Sequence, residues 1–216
     1  MMNTKRALII YGGWSGHEPD KVAAILKSEL ETSGFSVVCS DSLEVLDDGE
    51  SLTRFDLIIP CWTMGALSED QTNNLLAAVH GGVGLGGIHG GMGDAFRGNT
   101  DYEWMVGGHF VGHPHVGDYT LSKTAVVHPI TDNFPCTYAY NSEQYYMLID
   151  PVVEVLLETQ YTYEGRTCTM PVVWTKHWGK GRVFYSSLGH LPAEFTDFPE
   201  VLRMTVEGLK WAADKS

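Results

Sequence analysis

Residues 81–91 read Gly81-Gly82-Val83-Gly84-Leu85-Gly86-Gly87-Ile88-His89-Gly90-Gly91, and this stretch decides the fold. Val83 to His89 has strand length and is bounded by glycines. Its end, Gly87-Ile88-His89-Gly90-Gly91, has the form Gly-x-nucleophile-x-Gly. Such an elbow ends a parallel strand on a strained turn with small neighbours, and it aims one side chain into the crevice above the sheet. The plainer alternative is a histidine that only caps the strand through backbone hydrogen bonds. Gly82 to Gly87 also matches GxGxxG, but a dinucleotide loop needs its glycines after the strand, and here they lie within it.

The segments before it alternate between two periods. Ala7 to Tyr11 is apolar on both faces, as in a parallel strand covered on both sides. Val22, Ala23, Ile25, Leu26 and Leu30 recur at helical spacing and stop near Gly34. Phe35 to Cys39 and Phe55 to Pro60 read as two more strands. Ser68 with Gln71 predicts a capping box and a helix to about His80. Strands alternating with helices predict a doubly wound, mostly parallel α/β sheet.

After Gly91 the pattern changes. Residues 92–118 have no clean periodicity and predict an irregular insertion after the fourth strand. Segments 119–127, 136–148 and 152–161 alternate like strands. Gly179-Lys180-Gly181 predicts a hairpin between Met170–Trp178 and Arg182–Ser187. Pro199 to Ala213 predicts a last helix, with Val201, Leu202, Val206, Leu209 and Trp211 on its apolar face. No linker or repeat divides the chain, so residues 1–216 are expected to form one domain.

Composition narrows the partners. At 44% hydrophobic and 19% charged residues, the chain can bury a sizeable core. Its 14 basic and 27 acidic residues give a net charge of −13, which repels nucleic acid and anionic membranes, and neither is an expected partner. No apolar run approaches the ~20 residues of a membrane span. Met1 to Arg6 lacks the signal-peptide pattern, and the four cysteines form no CxxC, so a cytoplasmic protein with reduced thiols is expected. Glycine (24) and histidine (9) cluster in the same places, which points to a site where backbone approaches closely and protons or metals are handled.

Several motifs then carry a resemblance. They are Gly16-His17, Gly87-Ile88-His89, Gly107 to Pro114 (GGHFVGHP), His128-Pro129-Ile130, Glu143-Gln144-Tyr145, Pro171 to Trp174 (PVVW), Gly179 to His190 (GKGRVFYSSLGH) and Trp211. Together they span nearly the whole chain, which resembles the ThuA-like (trehalose utilisation) branch of the class I glutamine amidotransferase-like, flavodoxin-like fold. Ser142 departs from the aspartate expected before Glu143, so paired carboxylates are not expected there. The resemblance implies a carbohydrate substrate, trehalose or a related disaccharide or keto-sugar. The amidotransferase relatives place a cysteine at the elbow, where this chain has His89. An imidazole cannot replace that thiolate, so ammonia release from glutamine is not expected.

His17, His89 and His190 each follow a predicted strand, so parallel strands would bring them to one crevice, and the resemblance adds Glu143 from the insertion. His89, His190 and Glu143 are the candidate catalytic groups for acid–base chemistry on a sugar. His17, His113, Tyr145 and Trp14 are candidate substrate-binding residues, with Tyr145 and Tyr146 as a pocket wall. Zinc or another divalent metal is an open alternative: His109, His113 and His115 lie close in sequence, but Gly112 and Pro114 break the helix that would align the first two. His80 and His128 read as structural. The expected enzyme is a sugar isomerase, hydrolase or lyase that assembles as a homo-oligomer. The competing reading is a sugar-binding or regulatory module that kept the fold without the chemistry, and scattered positions of these residues would favour it.

Overall fold

A computed structural model describes residues 4–215 and contains one nine-stranded sheet. Its strands are β1 (Arg6–Gly13), β2 (Ser36–Ser40), β3 (Leu57–Thr63), β4 (Gly84–Ile88), β5 (Gly108–Lys123), β6 (Thr137–Ile149), β7 (Glu154–Tyr163), β8 (Arg166–Trp178) and β9 (Gly181–Ser186). The helices are α1 (Pro19–Thr32), α2 (Gly49–Leu52), α3 (Glu69–Gly81), α4 (His89–Gly93), α5 (Thr100–Val106), α6 (Pro192–Asp197) and α7 (Pro199–Ala212).

The strand order is β2-β1-β3-β4-β9-β8-β7-β5-β6. The first five pair in parallel, and the rest continue the sheet antiparallel from β9 outward. β2-β1-β3-β4 followed by a fifth parallel strand is a doubly wound order. The sheet is therefore mixed, where the sequence predicted a mostly parallel one.

Each side of the parallel half has its own core. Alternate residues of β1 point to opposite faces: Ala7 and Ile9 pack in one cluster with Leu26 of α1 and Leu209 of α7, while Leu8 and Ile10 pack in the other with Leu75 of α3 and Met105 of α5. The apolar run Ala7–Ile10 follows from this two-sided burial. The capping box forms at α3, with Gln71 N donating to Ser68 Oγ at 3.1 Å and Ser68 N donating to Gln71 Oε1 at 3.0 Å.

The glycines of β4 serve packing. A Cβ on Gly84 would strike the Ala212 carbonyl, and one on Gly86 would sit 2.8 Å from Leu209 Cδ2. The GxGxxG spacing lets α7 lie close on the sheet and is not a phosphate loop.

Residues 92–118 are not an irregular insertion. They contain α5 and the start of β5, a 16-residue strand. Register shifts between Phe110 and Gly112 and between Gly112 and His115 break its alternation, and Pro114 falls in the second shift. Bulges displace the period of two, so no strand pattern was legible there.

Candidate functional site

The site forms where the parallel strands end. After β1, a 3-10 turn at Ser15–His17 carries His17. After β4, His89 opens α4 with φ +43°, so the strained residue of the elbow is the histidine itself. Gly90 has a different reason to be glycine. A Cβ there would collide with His17 Cε1 and lie 2.8 Å from its Nδ1. His190 sits between β9 and α6, in a turn held by Glu194. That buried carboxylate accepts hydrogen bonds from the His190 amide (3.0 Å), Ser142 Oγ (2.8 Å) and Tyr140 Oη.

Glu143 and Tyr145 come from β6, and the strand's alternation sorts the Glu143-Gln144-Tyr145 motif. Tyr145 stacks on His89 with ring centroids 4.1 Å apart. Gln144 points the other way and donates to Thr159 Oγ1 at 2.9 Å, tying β6 to β7. Tyr146 is exposed and has Gln144's parity on the strand, so it is not part of the wall.

Three imidazoles surround the Glu143 carboxylate. His89 Nε2 lies 3.3 Å from Oε2, His113 Nε2 3.8 Å from Oε1, and His190 Nδ1 3.9 Å from Oε1. The His17 ring centroid is 4.9 Å from that of His89 and 5.1 Å from that of His190. Two contacts orient the deepest rings. His89 Nδ1 lies 2.8 Å from the Ser187 carbonyl, and His17 Nδ1 lies 2.7 Å from Thr63 Oγ1. A carbonyl only accepts, so His89 carries a proton on Nδ1, and the neutral ring turns its Nε2 lone pair toward Glu143. That Nε2 is buried without a hydrogen-bond partner, because its contact with Glu143 lacks hydrogen-bond geometry.

The electrostatics follow from crowding. Burial, then the neighbouring His89 and His190, push the His17 imidazole down to about 3. Burial and His89 also lower His190. Burial alone would raise the Glu143 carboxyl, but contact with His89 and the charges of His89, His190 and His113 hold it at about 2. An ionised carboxylate thus lies beside the His17 and His190 rings, which resist protonation, a donor set suited to a cation. The ligating atoms of His17, His89, Glu143 and His190 all lie within 4.8 Å of one another.

A family model for ThuA, described as trehalose utilisation, matches residues 6–212. The chain belongs to the ThuA family. That membership gives it a general role in carbohydrate utilisation. No protein of curated function matches it. A ThuA-like protein from Bacteroides uniformis superposes with a TM-score of 0.79 at 17% identity, over 99% of this chain and 93% of that one. A ThuA-like protein from Parabacteroides merdae gives 0.76 at 20% identity, over 98% and 90%. A cytoplasmic protein from Salmonella typhimurium LT2 gives 0.67 at 18% identity, over 98% and 100%. At these identities the likeness is one of fold. No described helix of this ThuA chain is long and apolar enough to cross a membrane.

The structure brings His17, His89, Glu143, His190 and Tyr145 together, with His113 and Trp14 at the rim. Trp14 is half exposed and stands edge-on to His17 at 4.7 Å. The trio His109, His113 and His115 does not converge. His109 faces Glu103 at 3.6 Å, His115 lies 3.1 Å from the Asp118 carbonyl, and only His113 reaches Glu143. The β5 bulges separate residues that are neighbours in sequence. Thr63, the partner of His17, was missed, although it ends β3 on the same side of the sheet. His128 caps the 3-10 turn that follows it, through Ile130 N. A cavity of about 760 Å³ lined by Lys5, Phe35, Arg182 and Trp211 lies at the opposite end of the parallel strands and touches none of these groups.

Proposed function

We propose that this ThuA protein is a cytoplasmic sugar-modifying enzyme that works in the His89–Glu143–His190 crevice. One observation carries the reading: His89, His113 and His190 approach a single ionised carboxylate from three elements far apart in sequence, where doubly wound sheets bind ligands. This convergence supports catalysis over a binding module that kept only the fold. A sugar hydroxyl or carbonyl presented there meets imidazole lone pairs and a carboxylate whose charge stabilises whichever group gains a proton. His17 and Tyr145 shape the floor, and Trp14 offers an aromatic face at the rim.

The strand order and the His89 elbow support the class I glutamine amidotransferase-like placement, without that chemistry. Cys61 is buried, and burial pushes its thiol up to about 12, so it is no thiolate nucleophile. The two arginines nearest in sequence to the site motifs are committed elsewhere: Arg97 pairs with Asp94, and Arg182 lies over Trp211. A neutral or keto disaccharide therefore fits better than a sugar phosphate. The exposed Val111, Val116, Tyr146 and Leu148 on the outermost strand pair suit a second copy of the chain, which light scattering in solution would detect.

The test is an assay of the neutral, 3-keto and phosphorylated forms of one disaccharide. Turnover of a neutral or keto form, lost in Glu143→Gln, is expected. Preference for the phosphorylated form, or equal turnover by the variant, overturns the reading.

A further inference from the structure

The His89 imidazole is 2% exposed, and its Nε2 has no hydrogen-bond partner. With the Ser187 carbonyl holding a proton on Nδ1, the neutral ring has its lone pair there, facing a Glu143 oxygen 3.3 Å away. Two acceptors confront each other in a buried place, which is costly unless something electrophilic lies between them. One proton would relieve that pair alone. The rings of His17 and His190, each about 5 Å from that of His89, would remain crowded with their own lone pairs.

We propose that His17, His89, Glu143 and His190 form a binding site for one divalent first-row transition-metal ion. Three imidazoles and one carboxylate suit zinc, iron, cobalt, nickel or manganese better than magnesium or calcium, which favour oxygen throughout. Tetrahedral donors bonded to one ion at about 2.1 Å lie ~3.4 Å apart, so donors that already lie within 4.8 Å of one another need side-chain shifts of ~1.4 Å at most to close on it.

The surroundings are those of a metal centre. The Ser187 carbonyl orients His89, and Thr63 Oγ1 orients His17, the second layer of contacts that ligating histidines require. Strain at His89 (φ +43°) and the missing Cβ at Gly90 both serve to place rings. His113 stands outside the four and is about half exposed. It remains free to carry a proton at the mouth of the site. A bound ion supplies Lewis acidity toward a sugar carbonyl or hydroxyl.

This inference rests on the crevice being the working site, and it assigns His89 and His190 to holding the ion. The test uses the full chain, stripped with a chelator and titrated with Zn²⁺ or Co²⁺ by calorimetry and, for Co²⁺, by visible absorption. About one equivalent should bind and raise the melting temperature. Glu143→Gln and His89→Ala, checked for fold by circular dichroism, should each weaken binding at least about tenfold, and Thr63→Val about tenfold. The double variant His109→Ala/His115→Ala should bind like wild type. Folded protein that takes up neither ion, or binding unchanged in Glu143→Gln, overturns the inference. One bound equivalent together with undiminished sugar turnover by the stripped protein supports the binding site and spares the acid–base reading. Metal binding without turnover of any sugar sinks that reading and leaves the metal site standing.

Discussion

His89 on the fourth strand's turn and Glu143 on the outermost strand are in contact, Nε2 to Oε2, at 3.3 Å. The contact joins the parallel half of the sheet to its antiparallel extension, so the site depends on both halves folding together.

The elbow strain is measurable. His89 adopts φ +43°, a left-handed conformation costing a non-glycine residue about 1–2 kcal/mol. His89→Gly should therefore be more stable than His89→Ala by about 1 kcal/mol in urea denaturation, although both lack the imidazole. Equal stability of the two variants would argue that the turn is unstrained.

Gly90 tests the crowding. In Gly90→Ala the new methyl group meets His17, with Tyr145 Oη 3.1 Å away. Overpacking should cost about 1–3 kcal/mol and displace His17. A variant with wild-type melting temperature and wild-type Zn²⁺ or sugar response would mean that the rings yield freely.

Glu194 is a positioning residue. Glu194→Ala strands Tyr140, Ser142 and the His190 amide, each of which donates to it. The expected loss is about 2–3 kcal/mol. If His190 depends on this anchor, kcat should fall more than KM rises, and Glu194→Gln should recover part of it. A variant altered in stability alone would confine Glu194 to the fold.

Asp150 predicts the acid response of the sheet. Its carboxyl is held low by the Val152 amide and then by Lys176, whose ammonium is buried and lies 2.9 Å away. A carboxyl lowered in the folded state stabilises it above the ordinary pKa, here 3.8, and that stability is lost as pH falls further. Asp150→Ala should cost about 3 kcal/mol at pH 7 by stranding Lys176. The penalty should shrink in the most acid range; denaturation curves at pH 7 and below pH 3.8 compare the two.

The chain's local chemistry alone determined the parallel half and the antiparallel β8–β9 hairpin beside it. Two-sided apolar strands, helical spacing in α1 and α7, the Ser68–Gln71 box and the Gly179–Gly181 hairpin are short-range signals that burial and capping impose directly on residue choice. The carboxyl-end rule likewise placed His17, His89 and His190 at one crevice, because strands that run the same way end on the same side. Only the tertiary structure decided the rest. The β5 bulges erased the alternation that would have announced a strand, so His113 was separated from His109 and His115 by geometry that no spacing records. The metal-suited set draws ligands from residues 17 to 190, and its coherence comes from the sheet bringing β6 to the turn after β4. The tautomer of His89, set by a backbone carbonyl, is a fact of three-dimensional contact, and a backbone carbonyl leaves no mark on a sequence.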